Sequence, residues 1–186
     1  MYRMRIPTLP LVVLLAGVAV ATFSQDQRLA AGSTKPSING VVRAADYTYM
    51  HDFDHKLTLY ATRTADTLYL AVVANADGWV AVGLGSKKMD GAAIFMGFVD
   101  TDGKVSFKTE VGKGRKLQDA PADISATVVS YEMKQEGGKT TLQVAVKADA
   151  FIKQGQQSLD LIVAMSGTRS FTRYHTYRGA TSLSLD

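Results

Sequence analysis

The sequence contains no cysteine, and only three histidines, four prolines and one tryptophan occur in its 186 residues. Without cysteine the chain can form no disulfide, zinc–thiolate site, iron–sulfur cluster or thioether-linked cofactor. Any metal would have to be bound by histidine, methionine or carboxylate side chains. The remaining composition, 46% apolar and 20% charged, is that of a globular domain rather than a disordered chain.

Common catalytic and phosphate-binding motifs are also missing. The chain has no G-x-S-x-G elbow, P-loop, G-x-G-x-x-G fingerprint or H-E-x-x-H pair. Asp100 and Asp102 flank Gly103 in a predicted turn, which favours solvated turn residues over a catalytic carboxylate pair. The basic stretch Lys113-Gly-Arg-Lys116 contains glycine and no interleaved aromatic residue, so it predicts a solvated loop rather than a nucleic-acid groove.

Residues 1–21 have the pattern of a secretory signal peptide. Arg3 and Arg5 precede an apolar run over residues 11–21, which ends in Ala-Val-Ala. The run is shorter than the ~20 residues that span a bilayer, so we expect export to the periplasm or the extracellular space, and membrane attachment only if the signal stays uncleaved. Without this segment 19 basic residues face 17 acidic ones, and a net charge of +2 gives no case for nucleic-acid binding.

The rest of the chain has the pattern of one β domain over residues 38–186, after a polar segment, 22–37, that predicts a flexible tether. Short segments with period-two alternation or β-rich composition recur at about ten-residue spacing. They are 56–63, 67–75, 79–84, 92–99, 104–111, 124–133, 140–147, 158–164 and 180–185. This spacing predicts an all-β fold, an antiparallel immunoglobulin-like sandwich of nine to eleven strands.

Local signals refine this prediction. Both faces of the segment 67–73 are apolar, which predicts a central strand. The glycines of residues 77–78, 102–103 and 137–138 predict tight turns between strands. One short helix is predicted at 149–154, with Asp149 as a possible cap.

The segment 78–100 departs from simple alternation. An apolar strand leads into a glycine-containing loop, Met89 follows two lysines, and a second apolar strand leaves the loop. Gly83 and Gly85 allow another group to approach the backbone closely. A thioether is a soft ligand for iron or copper, although a methionine beside a β-sheet also commonly fills a gap in the core. The pattern therefore leaves a metal ligand and a core residue as alternatives for Met89.

This segment resembles the DOMON family of extracytoplasmic β-sandwich domains, which includes b-type cytochrome domains. The matching elements are Gly78-Trp-Val-Ala-Val-Gly-Leu-Gly85, Met89, the Gly-Ala-Ala of residues 91–93, Asn39-Gly-Val, and Tyr174-His-Thr-Tyr-Arg-Gly179 near the C-terminus. The similarity covers residues 38–186. Some members of the family bind sugars or have lost haem, so the resemblance also allows a haem-free module that binds carbohydrate or a partner protein.

In haem-binding members the loop methionine and the C-terminal histidine are the axial iron ligands, and the resemblance assigns those roles to Met89 and His175. Two axial protein ligands leave the iron no vacancy for a substrate. The resemblance therefore implies electron transfer by a non-covalently held haem b, with no enzymatic turnover by this chain alone. The implied partner is a redox protein, and a membrane cytochrome on a separate polypeptide is one candidate.

Four basic side chains lie close in sequence to the two candidate ligands: Lys87, Lys88, Arg173 and Arg178. We expect one or two of them to pair with haem propionates, because charge-assisted hydrogen bonds to carboxylates are strong. The alternatives are solvated side chains, or basic groups that steer an acidic redox partner. Trp79 is expected in the core of the sandwich or on the floor of the pocket.

His51 and His55 form a weaker candidate site. With Asp52 they could bind a metal ion, although three or four converging ligands are usual. Met50 or His51 could also replace Met89 as an iron ligand. A metal-binding protein that uses these histidines is therefore a third hypothesis.

Overall fold

Alternating apolar residues build two packed β-sheets in the computed structural model, which describes residues 28–186. The strands of this part of the chain are β1 (Arg28–Leu29), β2 (Tyr49–Phe53), β3 (Leu57–Arg63), β4 (Thr67–Ala74), β5 (Val80–Leu84), β6 (Ala93–Val99), β7 (Val105–Lys113), β8 (Lys116–Asp119), β9 (Val128–Glu136), β10 (Lys139–Lys147), β11 (Ser158–Met165) and β12 (Tyr177–Leu185). Two short helices, α1 (Ala122–Ser125) and α2 (Ala148–Phe151), and a 3-10 turn (Ala44–Asp46) connect them. Within residues 28–186 no helix is long and apolar enough to cross a lipid bilayer. The predicted signal peptide, residues 1–21, lies outside the described residues.

One sheet has seven strands in the order β1-β12-β11-β5-β6-β7-β8, and the other has five in the order β2-β3-β4-β10-β9. Neighbouring strands are antiparallel, except that β1 is parallel to β12. This arrangement confirms the all-β sandwich and the central position of β4.

Each predicted segment contains a strand, and β1, β2 and β8 are additional to the prediction. β1 has only two residues and β8 is exposed throughout, so neither produces an alternation long enough to detect. The predicted helix is α2, but Lys147 is its N-cap and makes no side-chain cap bond, so the predicted Asp149 cap is wrong.

The prediction of a tether over residues 22–37 is wrong for its described part. β1 pairs with the end of β12, and Leu29 is buried in the core. The Gly32 amide donates a hydrogen bond to the Arg63 carbonyl oxygen at 2.9 Å. Because backbone hydrogen bonds are available to any non-proline residue, a polar segment can extend a sheet edge without an apolar pattern. The sandwich therefore includes residues from 28 onward rather than from 38.

The core lies between the two sheets and follows the period-two alternation of the strands. In β4, Leu68, Leu70 and Val72 are buried toward the core, and burying each such side chain stabilises the fold by about 1.5–3 kcal/mol. Tyr69 and Ala71 point to the opposite side of the sheet, yet they are buried as well. The sheets thus carry apolar residues on their outer faces in addition to the shared core.

Glycine serves two purposes at the predicted turns. Gly103, Gly137 and Gly138 have φ angles of 79°, 58° and 76°, as expected for hairpins between β6 and β7 and between β9 and β10. Gly78 instead lies where the chain crosses from one sheet to the other, and a Cβ there would be 2.2 Å from the Ser166 carbonyl oxygen. The prediction of a hairpin turn at residues 77–78 is therefore wrong. Gly78 allows the start of β5 and the segment after β11 to approach each other.

Candidate functional site on the outer face of the seven-stranded sheet

The outer face of the seven-stranded sheet carries a compact apolar cluster that is separate from the core. Alternation in β5 and β6 directs Ala81, Ile94 and Met96 outward, away from the five-stranded sheet. We call the whole set the outer cluster; its buried members are Trp79, Ala81, Ala92, Ile94 and Met96, and its partly buried members are Met89, Phe98, Ile162, Ala164 and Phe171. A face that would otherwise meet solvent is therefore apolar and largely covered.

Small residues form the middle of this face. Ala81 lies between Ala164 on β11 and Met96 on β6 in the strand register. One pleat further along β5, Gly83 lies beside Ile162, and a Cβ at Gly83 would be 2.6 Å from the Cγ1 atom of that isoleucine. The face is consequently shallow along β5, and larger side chains border it on both sides.

Met89 is held at one end of the face by the loop between β5 and β6. The Met89 carbonyl oxygen accepts a hydrogen bond from the Ala92 amide at 3.2 Å. The same oxygen contacts Gly112 of β7, and a Cβ added at Gly112 would lie 1.6 Å from it. Gly112 in turn donates its amide to the Ala92 carbonyl oxygen at 2.9 Å. Glycine at position 112 therefore lets the loop fold over the sheet, and the Met89 side chain packs, partly buried, on the outer cluster.

His175 belongs to the segment of residues 166–176, which follows β11 and approaches the opposite end of the same face. The Trp79 indole Nε1 donates a hydrogen bond to the Arg173 carbonyl oxygen at 3.2 Å. The Thr176 amide donates to the Met165 carbonyl oxygen at 2.8 Å, which fixes the backbone immediately after His175. The His175 side chain itself is exposed.

The two candidate ligands therefore lie at opposite ends of one apolar face. The segment that contains His175 begins after Met165, the last residue of β11, which pairs with Val80 at the start of β5. The loop that contains Met89 begins after Leu84, at the other end of β5. These two positions on β5 are about 13 Å apart at 3.3 Å per residue. The structure brings the Met89 side chain and the backbone of the segment that contains His175 to the same face; Met89 is partly buried and His175 is exposed.

Phe171 covers part of the outer cluster at the His175 end of the face. Its ring centre is 4.8 Å from that of Phe98, and the Lys108 ammonium group lies 4.4 Å from the ring centre. Both contacts are to residues of the sheet, so the segment 166–176 is packed down on the face. Nothing in the local sequence pattern of this loop predicts that contact.

Glu110 is a buried carboxylate beside the outer cluster that the sequence analysis did not identify. It is 6% exposed and lies opposite Ile94 in the sheet register. Its Oε1 accepts a hydrogen bond from the Lys108 ammonium group at 2.6 Å, while its buried Oε2 has no partner within the described residues. The alternation of β7, which directs Lys108 and Glu110 to the same face as Met96 and Ile94, is the signal that could have revealed it.

The predicted basic residues lie at both ends of the face. Lys87 is exposed and 3.9 Å from Asp160, and Lys88 is exposed in the same loop. Arg173 and Arg178 are exposed near His175, and Arg178 pairs in register with the outward-facing Ala164. Trp79 is buried at the His175 end as part of the outer cluster rather than of the core between the sheets.

The alternative metal site at His51 is not formed. The His51 ring packs against Phe53 with ring centres 4.3 Å apart, and the His55 side chain is 94% exposed and pairs only with Asp52. No group of three or more histidine, aspartate or glutamate side chains in residues 28–186 is arranged to bind a metal ion. Met50 and His51 lie on β2, an edge strand of the other sheet, so their proposed substitution for Met89 on this face is wrong.

Fold and site together define the class of this protein. It is a largely antiparallel β-sandwich domain with an apolar cluster on the outer face of its seven-stranded sheet. The model of the DOMON domain matches residues 52–176, and the chain belongs to the DOMON domain family. No curated protein matches the chain.

Solved structures share this fold at low sequence identity. The cytochrome b domain of pyranose dehydrogenase from Coprinopsis cinerea is 10% identical, with a TM-score of 0.54 over 74% of this chain and 81% of that chain. The cytochrome domain of Myriococcum thermophilum cellobiose dehydrogenase is 13% identical, with a TM-score of 0.50 over the same shares. A family 9 carbohydrate binding module from Caldicellulosiruptor kristjanssonii, in complex with glucose, is 9% identical, with a TM-score of 0.52 over 86% of this chain and 96% of that chain. At these identities the likeness concerns the fold alone.

Proposed function

We propose that this protein is an exported b-type cytochrome domain that binds one haem on its outer cluster and passes single electrons to a partner protein. The observation that carries the proposal is the position of Met89 and His175 at the two ends of one apolar sheet face. Membership of the DOMON family supports it, because that family includes haem-binding domains.

The donor set and the surface fit this cofactor. Met89 and His175 would hold the iron through a thioether and an imidazole, which are neutral ligands suited to it. When bound, haem supplies a one-electron iron couple, and methionine ligation raises its reduction potential. The outer cluster excludes water from the apolar part of the bound group. Lys87, Lys88, Arg173 and Arg178 supply positive charge at both ends, where propionates can be paired.

The 166–176 segment has to move when this face is occupied, because Phe171 covers part of the outer cluster. The segment also lies over Trp79, the only tryptophan of the chain. A haem bound on the face would quench the emission of that side chain. Trp79 fluorescence therefore reports haem binding, independently of the redox activity of the haem.

The experiment is reconstitution of the purified protein with haem, followed by absorption spectra and Trp79 fluorescence. We expect stoichiometric binding with sharp low-spin bands after reduction, and loss of those bands in Met89→Leu and in His175→Ala. Met89→Leu keeps the apolar volume, so its loss of the low-spin spectrum would report the thioether rather than packing. Added imidazole should restore a low-spin spectrum to His175→Ala.

The controls use residues that lie away from the outer cluster. His55→Ala removes an exposed histidine and Met50→Leu removes a methionine of β2, and both should keep the wild-type spectrum. Failure to bind haem at micromolar concentration would refute the proposal. An unchanged low-spin spectrum in Met89→Leu and His175→Ala would assign the ligation elsewhere.

The proposal carries expectations about location and activity. A chain with the N-terminal pattern of residues 1–21 is expected outside the cytoplasm, where a separate redox protein or a membrane cytochrome would exchange electrons with it. A centre with two protein ligands transfers electrons without binding a substrate, so we expect no turnover by this chain alone.

Glu110 supports a second candidate function, a haem-free module that binds carbohydrate. Its buried Oε2 can accept a hydrogen bond from a ligand hydroxyl, and the nearby Phe171 and Phe98 rings offer apolar contact for a sugar. Calorimetric titration with glucose and cellulose-derived oligosaccharides tests it. Binding that is abolished in Glu110→Ala would favour this function, and the absence of any heat signal would reject it.

A further inference from the structure

Two loops combine into one platform at the Met89 end of the outer face. The Gly114 amide, at the tip of the β7–β8 hairpin, donates a hydrogen bond to Asp90 Oδ1 at 2.6 Å. The Gly91 amide donates to the Gly112 carbonyl oxygen at 3.0 Å. The β5–β6 loop and the hairpin tip are thus fixed to each other through both side-chain and backbone bonds. We call them together the basic platform.

The basic platform concentrates exposed positive charge. Its cations are Lys87, Lys88, Lys113, Arg115 and Lys116, and all five are exposed. Within residues 28–186 the last four form no ion pair, and Lys87 approaches Asp160 only to 3.9 Å. Asp90 also lies within the platform, where it contributes one negative charge and accepts a hydrogen bond from the Gly114 amide. Most of the positive charge is therefore uncompensated.

The chemistry of the platform favours an acidic protein surface over other anionic partners. Residues 113–116 and 86–88 contain no apolar side chain that could insert into a bilayer and no aromatic ring on which a base could stack. Exposed like charges on one surface attract a complementary surface at long range and increase the association rate. Lysines on an edge strand such as β8 also prevent sheet extension. That role would not require Lys87 and Lys88, which lie in a different loop.

We propose that the basic platform is the docking surface for an acidic redox partner. This inference rests on the proposed electron-transfer function, because the platform includes the loop that contains Met89. A partner docked there would lie next to one of the two candidate iron ligands. It also assigns a role to the Lys113–Lys116 stretch, which the sequence pattern alone indicates only as a solvated loop.

The test measures the affinity of the full protein for poly-L-glutamate, with and without bound haem, at about 20 mM and about 200 mM NaCl, which bracket a Debye length of about 10 Å. The platform variant is the triple substitution Lys113→Glu, Arg115→Glu and Lys116→Glu. Its matched control, Lys139→Glu, Lys147→Glu and Lys153→Glu, makes the same change in net charge at exposed positions of β10 and the α2–β11 loop. A milder variant, Lys87→Gln with Lys88→Gln, tests the second loop, and far-UV circular dichroism checks that each variant is folded.

We expect the platform variant to weaken binding at low salt by about tenfold or more and to flatten its salt dependence. The control should change the affinity by less than about twofold, and the Lys87/Lys88 variant should lie between them. Equal weakening by both triple variants would attribute binding to net charge and overturn the proposal. Tighter binding to phosphatidylglycerol vesicles than to poly-L-glutamate would overturn it in favour of a membrane surface.

Failure of this inference can be separated from failure of the proposed function. Poly-L-glutamate binding does not require haem, so a protein that binds no haem but shows the platform effect would retain the docking surface and lose the cytochrome function. A haem-loaded protein with the expected spectrum but without the platform effect would retain the function and lose this docking surface.

Discussion

Both sheets of this sandwich have an apolar outer face, but the two faces are closed in different ways. On the five-stranded sheet, the chain before β2 covers a cluster that contains Tyr47, Tyr69, Ala71 and Ala145. Gln143 lies at its centre and holds that covering chain by five hydrogen bonds. Its Oε1 accepts from the Asn39 and Gly40 amides at 3.0 and 2.7 Å, and its Nε2 donates to the Ser37 and Val41 carbonyl oxygens and to the Tyr47 hydroxyl at 3.1, 3.4 and 3.0 Å.

On the seven-stranded sheet, the corresponding buried polar group is Glu110, and only one of its two carboxylate oxygens has a partner among residues 28–186. The cover consists of the Met89 loop and the Phe171 segment, each anchored at its own end of the face. Buried polar groups are normally satisfied, so an unpartnered carboxylate oxygen marks a place where stability has not been maximised. The comparison shows that polar contacts hold the cover of the five-stranded sheet more completely than they hold the cover of the seven-stranded sheet.

The largest effect is expected from Gln143→Ala. The substitution leaves two backbone amides, two carbonyl oxygens and a tyrosine hydroxyl without their buried partner, which should lower the free energy of unfolding by about 3 kcal/mol. Urea denaturation of the haem-free protein measures it.

The matched substitution on the other face is Glu110→Gln. The amide oxygen still accepts from Lys108, although the ion pair is lost, and a neutral NH2 group takes the place of the oxygen that has no partner within residues 28–186. One buried polar atom is thus unpartnered before and after the change, so the free energy of unfolding should change by about 1 kcal/mol. A decrease in the free energy of unfolding as large as that caused by Gln143→Ala would mean that polar contacts stabilise both outer faces equally.

An effect between these two is expected from Gly112→Ala, because the Cβ would collide with the Met89 carbonyl oxygen and the loop would have to shift. Overpacking of this kind should cost about 2 kcal/mol of stability, and on the proposed function it should also weaken haem affinity. Denaturation and haem titration by Trp79 fluorescence measure the two effects.

Gly167→Ala is the control for this substitution. A Cβ there has no neighbour within 4 Å, so stability should stay within about 0.5 kcal/mol of the wild type. Wild-type haem affinity in Gly112→Ala would show that the position of the Met89 loop does not matter for binding.

The smallest effect concerns pH. Burial raises the pKa of Tyr47 above the usual 10.0 of tyrosine, more than the hydrogen bond from Gln143 lowers it. The folded state therefore keeps the proton when the unfolded chain releases it. The contribution of Tyr47 to the free energy of unfolding is fully present below pH 10. It is lost as the pH rises through the pKa that Tyr47 has in the folded state.

Tyr47→Phe should accordingly lose less stability than the wild type between about pH 9 and pH 11, as measured by urea denaturation at each pH. Tyr60 of the same cluster also has a raised pKa, because of burial and then the charge of Asp52, so part of the slope should remain. Identical slopes in the two proteins would exclude Tyr47 as the titrating group of this face.

The strand pattern of this protein could be predicted from its sequence to different degrees in different places. Alternation in β4, β5 and β10 is strong because each strand has apolar side chains on its inner face, and these strands lie where predicted. β1 could not be predicted, since its two residues depend on pairing with β12 at the other end of the chain. The loop with Met89 was recognisable because a single methionine follows glycines and lysines between two apolar segments.

The hydrogen bonds of the buried Gln143 side chain were beyond prediction for the same physical reason. Gln143 and Gly40 are 103 residues apart, and nothing near either one in the chain indicates that they form a hydrogen bond. The contact of Phe171 with Phe98 likewise joins a loop to a strand residue that lies 73 positions earlier in the chain. Such contacts depend on how the two sheets and their connecting segments are arranged in space.

Local regularities therefore account for the β-sandwich, the central position of β4 and Met89 as a possible ligand, because period-two alternation and the chemistry of single side chains do not depend on distant partners. His175 was selected only through the resemblance of its segment to the closing motif of the DOMON family. Long-range packing accounts for the rest. It assigned residues 28–37 to the domain and placed Met89 and the segment of His175 at opposite ends of one face. It also left one oxygen of Glu110 without a partner in the described part of the chain, and it joined two basic loops into one platform. Each of these features arises from neighbours that are remote in sequence, so only the folded arrangement of the sheets creates them.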